Sequence, residues 1–503
     1  MDGKKILKFF NRYWLILVLI VAFLLRLPSL LEPLSYGDEA IYLTLGIGIK
    51  KGLLLYRDIY DNKPPLLYLL AAIAGNLFWF RFLLTASCLT AIVFMSKLIK
   101  TIFPQSQSAK IIGTIFFALI TSLPIIEGNI ANSEIFQVLP IVTAVYLLFQ
   151  EKARSSNWFF AGLLFSAAIL LKVPVIFDFA AIVLFIIFFS SAKKRLAFPA
   201  QLLALLGGFI LPISLVSLYF GLHHQLKLFF QVAFLQNLGY LSSWKTGTHA
   251  FSLINLLKTD FFLKGAFIFV VFMVFWWQKS KLKNFPVFIL IWFLFSLFGA
   301  TLPERPYPHY LIQAVPSFSL IFAYFFVKKP KILFLIPIFS AVLIAGVCLR
   351  YHVWRYPTIS RYQNFLNYIS GRKDKNAYFS YFNSQLPYIY GVAEQILAST
   401  SKNDRIFVWG DDAFLYVLTG RLPATPYVAA YHITDFKKFE EVIFDLSQKP
   451  PSFIIVKRNF SPFPQLDIIL RNNYFMINSL GDYIIYLKRG FELNGRQTTG
   501  QKH

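Results

Sequence analysis

The chain is a succession of apolar runs, several of them near the roughly 17–25 residues that a helix needs to cross a bilayer, separated by short clusters of lysine and arginine. Such runs have few structural options. The hydrocarbon offers no water to backbone groups, so each run must satisfy its own amides, as a helix does. The runs lie at 14–34, 82–100, 111–126, 135–150, 157–171, 174–190, 198–219, 261–277, 285–302, 309–327 and 332–349. They predict a polytopic α-helical membrane protein with about eleven transmembrane helices, some of them short. Composition agrees: 57% of the 503 residues are hydrophobic and 15% charged, against about half and a quarter in a soluble domain.

The net charge of +25 would point to nucleic acid in a soluble protein. Here it orients helices. The clusters Lys97/Lys100/Lys110, Lys152/Arg154, Lys193/Lys194/Arg195, Lys279/Lys281/Lys283 and Lys328/Lys329/Lys331 all fall on the side of the N-terminal Lys4, Lys5, Lys8 and Arg12. By the positive-inside rule that side is cytoplasmic. The expected location is therefore the plasma (inner) membrane, multi-pass, with the lipid bilayer as partner and no nucleic acid. The first run is too long and bulky for a signal peptide and reads as an uncleaved anchor. Cys88 and Cys348 sit in apolar runs with no metal or redox spacing.

Residues 64–80 are apolar enough to span, but a crossing there would turn every later basic cluster outward. The segment is accordingly expected to lie as a helix in the outer interface, with Tyr68 and Trp79 at headgroup level. Asp38, Glu39, Asp58, Asp61, Lys63, Glu127, Glu134, Lys172 and Arg305 then map to the outer face, as do His223, His224 and Trp244 in the long loop 220–260. Beyond Leu349 the chain becomes more polar, with strand-like Arg405–Trp409 and Phe453–Lys457 and an amphipathic helix over 435–447. The expected organisation is a transmembrane domain over 1–350 with its first extracytoplasmic loop at 35–81. A soluble extracytoplasmic α/β domain follows over 351–490, and a disordered tail over 491–503.

The first loop carries the most chemistry: Tyr36-Gly37-Asp38-Glu39, Tyr56-Arg57-Asp58, then Asp61-Asn62-Lys63-Pro64-Pro65-Leu66-Leu67-Tyr68. Adjacent acids after a span are also what a solvated loop or helix start contains, and Asp38 is placed to cap a helix over 39–51. A group transfer to a hydroxyl or amine needs a base, and a carboxylate at an apolar boundary can be tuned for that. A phosphate leaving group needs cations, and Arg57, Lys63, Lys172 and Arg305 are available. Neighbouring carboxylates permit a divalent ion, with Asp38 and Glu39 its candidate ligands, without demanding one.

Asp38-Glu39 in the first loop, followed by Lys63-Pro64-Pro65-Leu66-Leu67-Tyr68 and Arg81, resembles the GT-C glycosyltransferases. Within them it is similar to the glycosyltransferase family 39 group, which includes aminoarabinose transferases and protein O-mannosyltransferases. Pro306-Tyr307-Pro308-His309-Tyr310 also resembles prokaryotic members, and the likeness covers roughly residues 10–330. It implies an inverting transfer of a sugar from a polyprenyl-phosphate donor to an extracytoplasmic acceptor, a lipid, glycan or protein. Asp38 would be the catalytic base, Glu39 its support or a metal ligand, and Lys63 the contact to the carrier phosphate. O-mannosyltransferases have His before Pro-Pro, so Lys63 points to the bacterial side. Glu134 would occupy a second acidic position, where family members often carry Asp. The strand Asp404–Gly410 resembles the variable outer domain of such proteins, and the Trp-Trp-Asp signature of oligosaccharyltransferases is missing.

Lys172 at a span end is either snorkelling or binding phosphate. Asp178, deeper in a span, is either functional or a polar contact of Lys172. His309 is either a phosphate or metal contact or an interface histidine. His223-His224 has no evident third ligand, and Trp409-Gly410-Asp411-Asp412 reads as a strand-to-helix turn. The competing function is a non-enzymatic transporter or lipid-carrier flippase. That class places charges near the midplane, as Asp178 and Arg26 would be, and shows internal repeats, which this sequence does not.

Overall fold

The computed structural model describes residues 3–151, 153–189, 198–236, 260–277, 284–303, 307–327, 335–353 and 356–491. Arg305, Trp244, Lys152, the clusters at 193–195, 279–283 and 328–331, and the tail from 492 lie outside the described residues. The chain divides into two compact units: Met1–Ser29 with Arg81–Thr358, and Leu30–Phe80 with Ile359–His503.

The first apolar run, expected at 14–34, lies in a longer helix Gly3–Leu31 that takes in the basic N-terminal residues. Other runs of the first unit form helices close to their expected bounds, among them Gln107–Ser122, Ser155–Leu171, Val175–Phe189, Phe198–Leu222, Asp260–Trp277 and Asn284–Thr301. Among the described residues, Arg12–Leu31, Leu77–Ile102 and Pro199–Leu222 are long and apolar enough to cross a membrane, and further apolar helices are shorter. The run at 309–327 departs from a plain helix: Pro308–Ala314 is 3-10 and only then does Val315–Tyr324 continue as α-helix. Pro308 and Pro316, lacking backbone donors, favour such a break. Small residues set the closest packing. A Cβ added at Gly162 would lie 2.1 Å from the Leu205 carbonyl oxygen, and one at Gly208 would lie 2.0 Å from that of Phe159. Only glycine lets these two backbones meet. Arg26, fully buried, donates through Nη1 to the carbonyls of Thr121 (2.9 Å) and Gly128 (2.8 Å). It thereby satisfies a carbonyl at the end of the helix Gln107–Ser122.

The second unit holds a five-stranded sheet of order β2-β1-β3-β5-β4. Strands β1 (Arg405–Trp409), β2 (Leu422–Pro423) and β3 (Phe453–Lys457) are parallel, while β5 (Tyr483–Lys488) runs antiparallel to β3 and to β4 (Tyr474–Leu480). The middle strands are apolar along their length because both faces are covered; Ile406, Phe407, Ile454 and Ile455 are fully buried. The helix expected at 435–447 begins at Phe439, after a turn with Lys437 at φ 53°.

Residues 64–80 correct the sequence reading. They are not one helix: Leu66–Ala74 ends at Gly75, whose φ of 76° is a left-handed cap, and Leu77–Ile102 starts anew. Nine residues rise about 13 Å, under half of a bilayer core. Tyr68 is wholly buried in this unit. The helix Gly37–Lys50 packs against Leu66–Ala74 at Gly46, where a Cβ would come within 2.7 Å of the Ala72 amide nitrogen. The two helices also meet nearer their starts, where the Tyr42 and Tyr68 ring centroids lie 6.1 Å apart. The same unit ties the first loop to the C-terminal residues. Arg361 Nε donates to Glu32 at 2.7 Å, Leu34 N–H to the Tyr390 hydroxyl at 3.3 Å, Lys51 Nζ to the Gly420 carbonyl at 3.0 Å, and Tyr60 N–H to that of Pro426 at 2.9 Å.

Candidate active site

Asp38 and Glu39 occupy the first turn of the helix Gly37–Lys50, where carboxylates are favoured by the exposed amides and the helix dipole. Tyr36, not Asp38, holds the cap position. The two acids part company at once, because neighbours on a helix do not face each other. Glu39 is fully buried, whereas the Asp38 side chain keeps 33% of its surface exposed. Asp38 Oδ2 accepts from the Tyr42 hydroxyl, one turn on, at 2.9 Å. The Lys63 ammonium lies 3.6 Å from the same oxygen and 4.7 Å from the centroid of the Tyr42 ring, a cation–π position.

Lys63 is held from below. Its N–H donates to the Tyr68 hydroxyl at 3.0 Å and its carbonyl accepts from the Tyr56 hydroxyl at 2.8 Å. The Tyr68 hydroxyl in turn donates to Asp61 Oδ2 at 2.8 Å, and His432 Nε2 lies 3.2 Å from Asp61 Oδ1. Asp61 is thus a buried anchor rather than a solvent-facing acid. Burial alone would raise its pKa, but the charge of Lys63, the contact with His432 and the Tyr68 hydroxyl hold it well below the usual carboxylate range. Arg57 and Asp58 form a local staple, with Arg57 Nε and Nη2 donating to the two Asp58 oxygens at 2.7 and 2.8 Å, and Asp58 Oδ2 accepting from Leu54 N–H. That hydrogen bond from Arg57 lowers the Asp58 pKa despite partial burial.

The first unit carries a second polar cluster. Lys172 caps the helix Ser155–Leu171 at its C-terminus, where a cation suits the dipole, and forms an ion pair with Glu134. Glu134 also accepts from Ser133 Oγ at 2.8 Å, and the Lys172 ammonium lies 4.2 Å from the centroid of the Tyr310 ring. His309 Nδ1 meets Glu127 Oε2 at 2.5 Å, and its Nε2 is 3.7 Å from Glu134. Glu127 itself sits at φ 58°, uncommon for a residue with a side chain. Asp178 belongs to neither cluster and does not touch Lys172. Its oxygens accept from Trp292 Nε1 (2.8 Å), Ser296 Oγ (2.6 Å) and Gln313 Nε2 (2.6 Å). Among the described residues, no group of three or more His, Cys, Asp or Glu side chains is arranged to hold a metal ion.

Of the residues singled out by sequence, the structure joins Asp38 to Lys63, Lys63 to Asp61 through Tyr68, and Glu134 to Lys172 and His309. Arg305 lies outside the described residues. Tyr42 and His432 escaped the sequence reading. Tyr42 was findable, four residues from Asp38 on one helical face; nothing near His432 in sequence links it to Asp61.

The fold defined by these units is of GT-C type. It matches the crystal structure of ArnT from Cupriavidus metallidurans bound to undecaprenyl phosphate, with TM-score 0.57 and 12% identity over 94% of this chain and 97% of that one. The archaeal oligosaccharyltransferase AglB from Archaeoglobus fulgidus, in complex with an inhibitory peptide and a dolichol-phosphate, aligns with TM-score 0.45 and 14% identity over 89% of this chain and 70% of that one. No protein-family model and no curated protein matches the sequence.

Proposed function

We propose that this protein is a membrane glycosyltransferase that moves a sugar from a polyprenyl-phosphate donor to an extracytoplasmic lipid, glycan or protein, with inversion at the anomeric carbon. The observation that carries the reading is the partly exposed pair of Asp38 and Lys63, 3.6 Å apart. Asp38 is the base. As the acceptor oxygen or nitrogen bonds to the anomeric carbon, its proton passes to Asp38, and the bond to the carrier phosphate breaks with its electron pair leaving on phosphate. Lys63 meets that phosphate. A part-exposed ion pair contributes only about 0–1 kcal/mol, so a phosphate replaces Asp38 as the partner of Lys63 at little cost and frees the carboxylate. The undecaprenyl phosphate bound by ArnT, which shares the fold, supports a carrier of this class. Lys172 and Arg305, cations that the sequence places at outer helix ends, stay candidates for phosphate binding, and Glu134 for the second acidic position that the resemblance implies. The membrane orientation we favour has the N-terminus cytoplasmic and the C-terminal domain outside.

A transporter reading leaned on Asp178 as an intramembrane acid, but three donors already satisfy it, as in a packing group. The test is Asp38→Asn in purified protein given labelled polyprenyl-phosphate sugars and a cell-envelope acceptor fraction. Loss of a general base costs about 10²–10⁴ in rate, and transfer at the parent rate overturns the assignment.

A further inference from the structure

His432 stands in the short helix Ala430–Asp435, fully buried, with its ring edge-on to Tyr60 at 5.3 Å and 4.3 Å from the centroid of Tyr431. Its Nε2 faces Asp61 Oδ1 at 3.2 Å, and its Nδ1 is buried with no hydrogen-bond partner among the described residues. A ring packed only to fill space does not need to be polar, and an orphaned nitrogen is a cost. What the imidazole gains is one donor aimed at the first loop.

From that contact a continuous path leads to the lysine. Asp61, 1% exposed, takes His432 and the Asn62 N–H (2.8 Å) on one oxygen and the Tyr68 hydroxyl on the other. Because Tyr68 gives its proton to Asp61, its oxygen lone pair is turned to the Lys63 N–H. The backbone of Lys63 is thereby held at its N–H by Tyr68 and at its carbonyl by Tyr56, and Pro64 further restricts it.

We propose that His432 is a positioning residue of the donor site: by holding Asp61 it sets the Tyr68–Lys63 segment, and so the ammonium that receives the carrier phosphate. The proposal rests on the reading of Lys63 given above, and its test separates the two. The probe is undecaprenyl phosphate titrated into the full-length protein in detergent, with thermal unfolding measured in parallel. His432→Phe keeps an aromatic ring and removes the donor; His432→Gln places an amide N–H near the former Nε2. Tyr68→Phe breaks the next link without touching the histidine, and serves if His432→Phe does not fold.

A hydrogen bond to a charged group corresponds to about tenfold or more in affinity. Expected, therefore, are about tenfold weaker binding in His432→Phe and in Tyr68→Phe, and binding within about threefold of the parent in His432→Gln. Parental affinity in both Phe variants, with binding lost in Lys63→Ala, overturns the role of His432 and leaves Lys63 in place. Equal weakening by His432→Phe and His432→Gln also overturns it, since it makes the ring's shape the requirement. Parental binding in Lys63→Ala removes the phosphate role of the lysine itself.

Discussion

The Tyr42 hydroxyl and the Lys63 ammonium converge on one oxygen of Asp38, at 2.9 and 3.6 Å, and the ammonium also lies over the Tyr42 ring. Tyr42 therefore addresses both members of the pair, its hydroxyl to the acid and its face to the cation. Under the proposed role of Lys63, its turning to a phosphate would leave the Tyr42 hydroxyl orienting the carboxylate.

Tyr42→Phe keeps the face and removes the hydroxyl. A hydrogen bond to a charged group is worth about 1.5–3 kcal/mol, so kcat is expected to fall by about tenfold or more while KM for the donor changes little. Steady-state kinetics with a labelled donor decide this. A rise in KM at unchanged kcat would assign Tyr42 to binding instead.

Glu32 and Arg361 form an ion pair in which both residues are buried, at 4% and 9% exposure. Removing one partner strands the other charge, at a cost of about 3–5 kcal/mol. Arg361→Ala should therefore lower the Tm in detergent markedly, and the double variant Glu32→Leu/Arg361→Leu should recover much of the loss. Equal losses in single and double variants would argue that packing, not charge, matters there.

Asp61 has a depressed pKa in the folded protein, against about 3.9 in an unfolded chain. Its ionised form therefore stabilises the fold above about pH 4, and that contribution fades as pH falls below this value toward the folded pKa. Asp61→Asn should be less stable than the parent at pH 6 and should lose less further stability on going to pH 3. Tm measured across that range checks the slope.

Asp178 accepts three hydrogen bonds in a fully buried position. Asp178→Leu strands the Trp292 Nε1–H and one N–H of Gln313, each orphan costing about 1–3 kcal/mol, while Ser296 keeps the Trp292 carbonyl at 2.8 Å and Gln313 the Pro174 carbonyl at 3.0 Å. Asp178→Asn keeps one oxygen and should cost distinctly less. Thermal unfolding of the two variants is the measurement, with Leu expected well below Asn.

The helices were legible because apolar length is a local signal, and Arg405–Trp409 and Phe453–Lys457 because buried parallel strands are continuously apolar. The break at Gly75-Asn76 was also written locally, as a left-handed cap followed by an Asn76 side chain that accepts from Trp79 N–H at 3.0 Å. Charge parity bears on whether the segment crosses, and carries no information on where its helix breaks. The Asp38–Lys63 pair followed from a motif, but its geometry needed Gly46 to let two helices touch. His432 was illegible for a different reason: it meets Asp61 across 371 positions, and no periodicity or spacing reports a contact of that range.

That range has a consequence in time. Chains are made at about 5–20 residues per second, so the partner of Asp61, 371 residues downstream, arrives roughly 20–70 seconds after it. Arg361, 329 residues beyond Glu32, is similarly late. During synthesis the first loop must wait, its acids already made, until the last quarter of the chain has emerged. By the proposed role of His432, the last contact that sets Lys63 is completed near the end of biogenesis, and a truncated chain would carry the lysine with its Tyr56 and Tyr68 contacts but without that support.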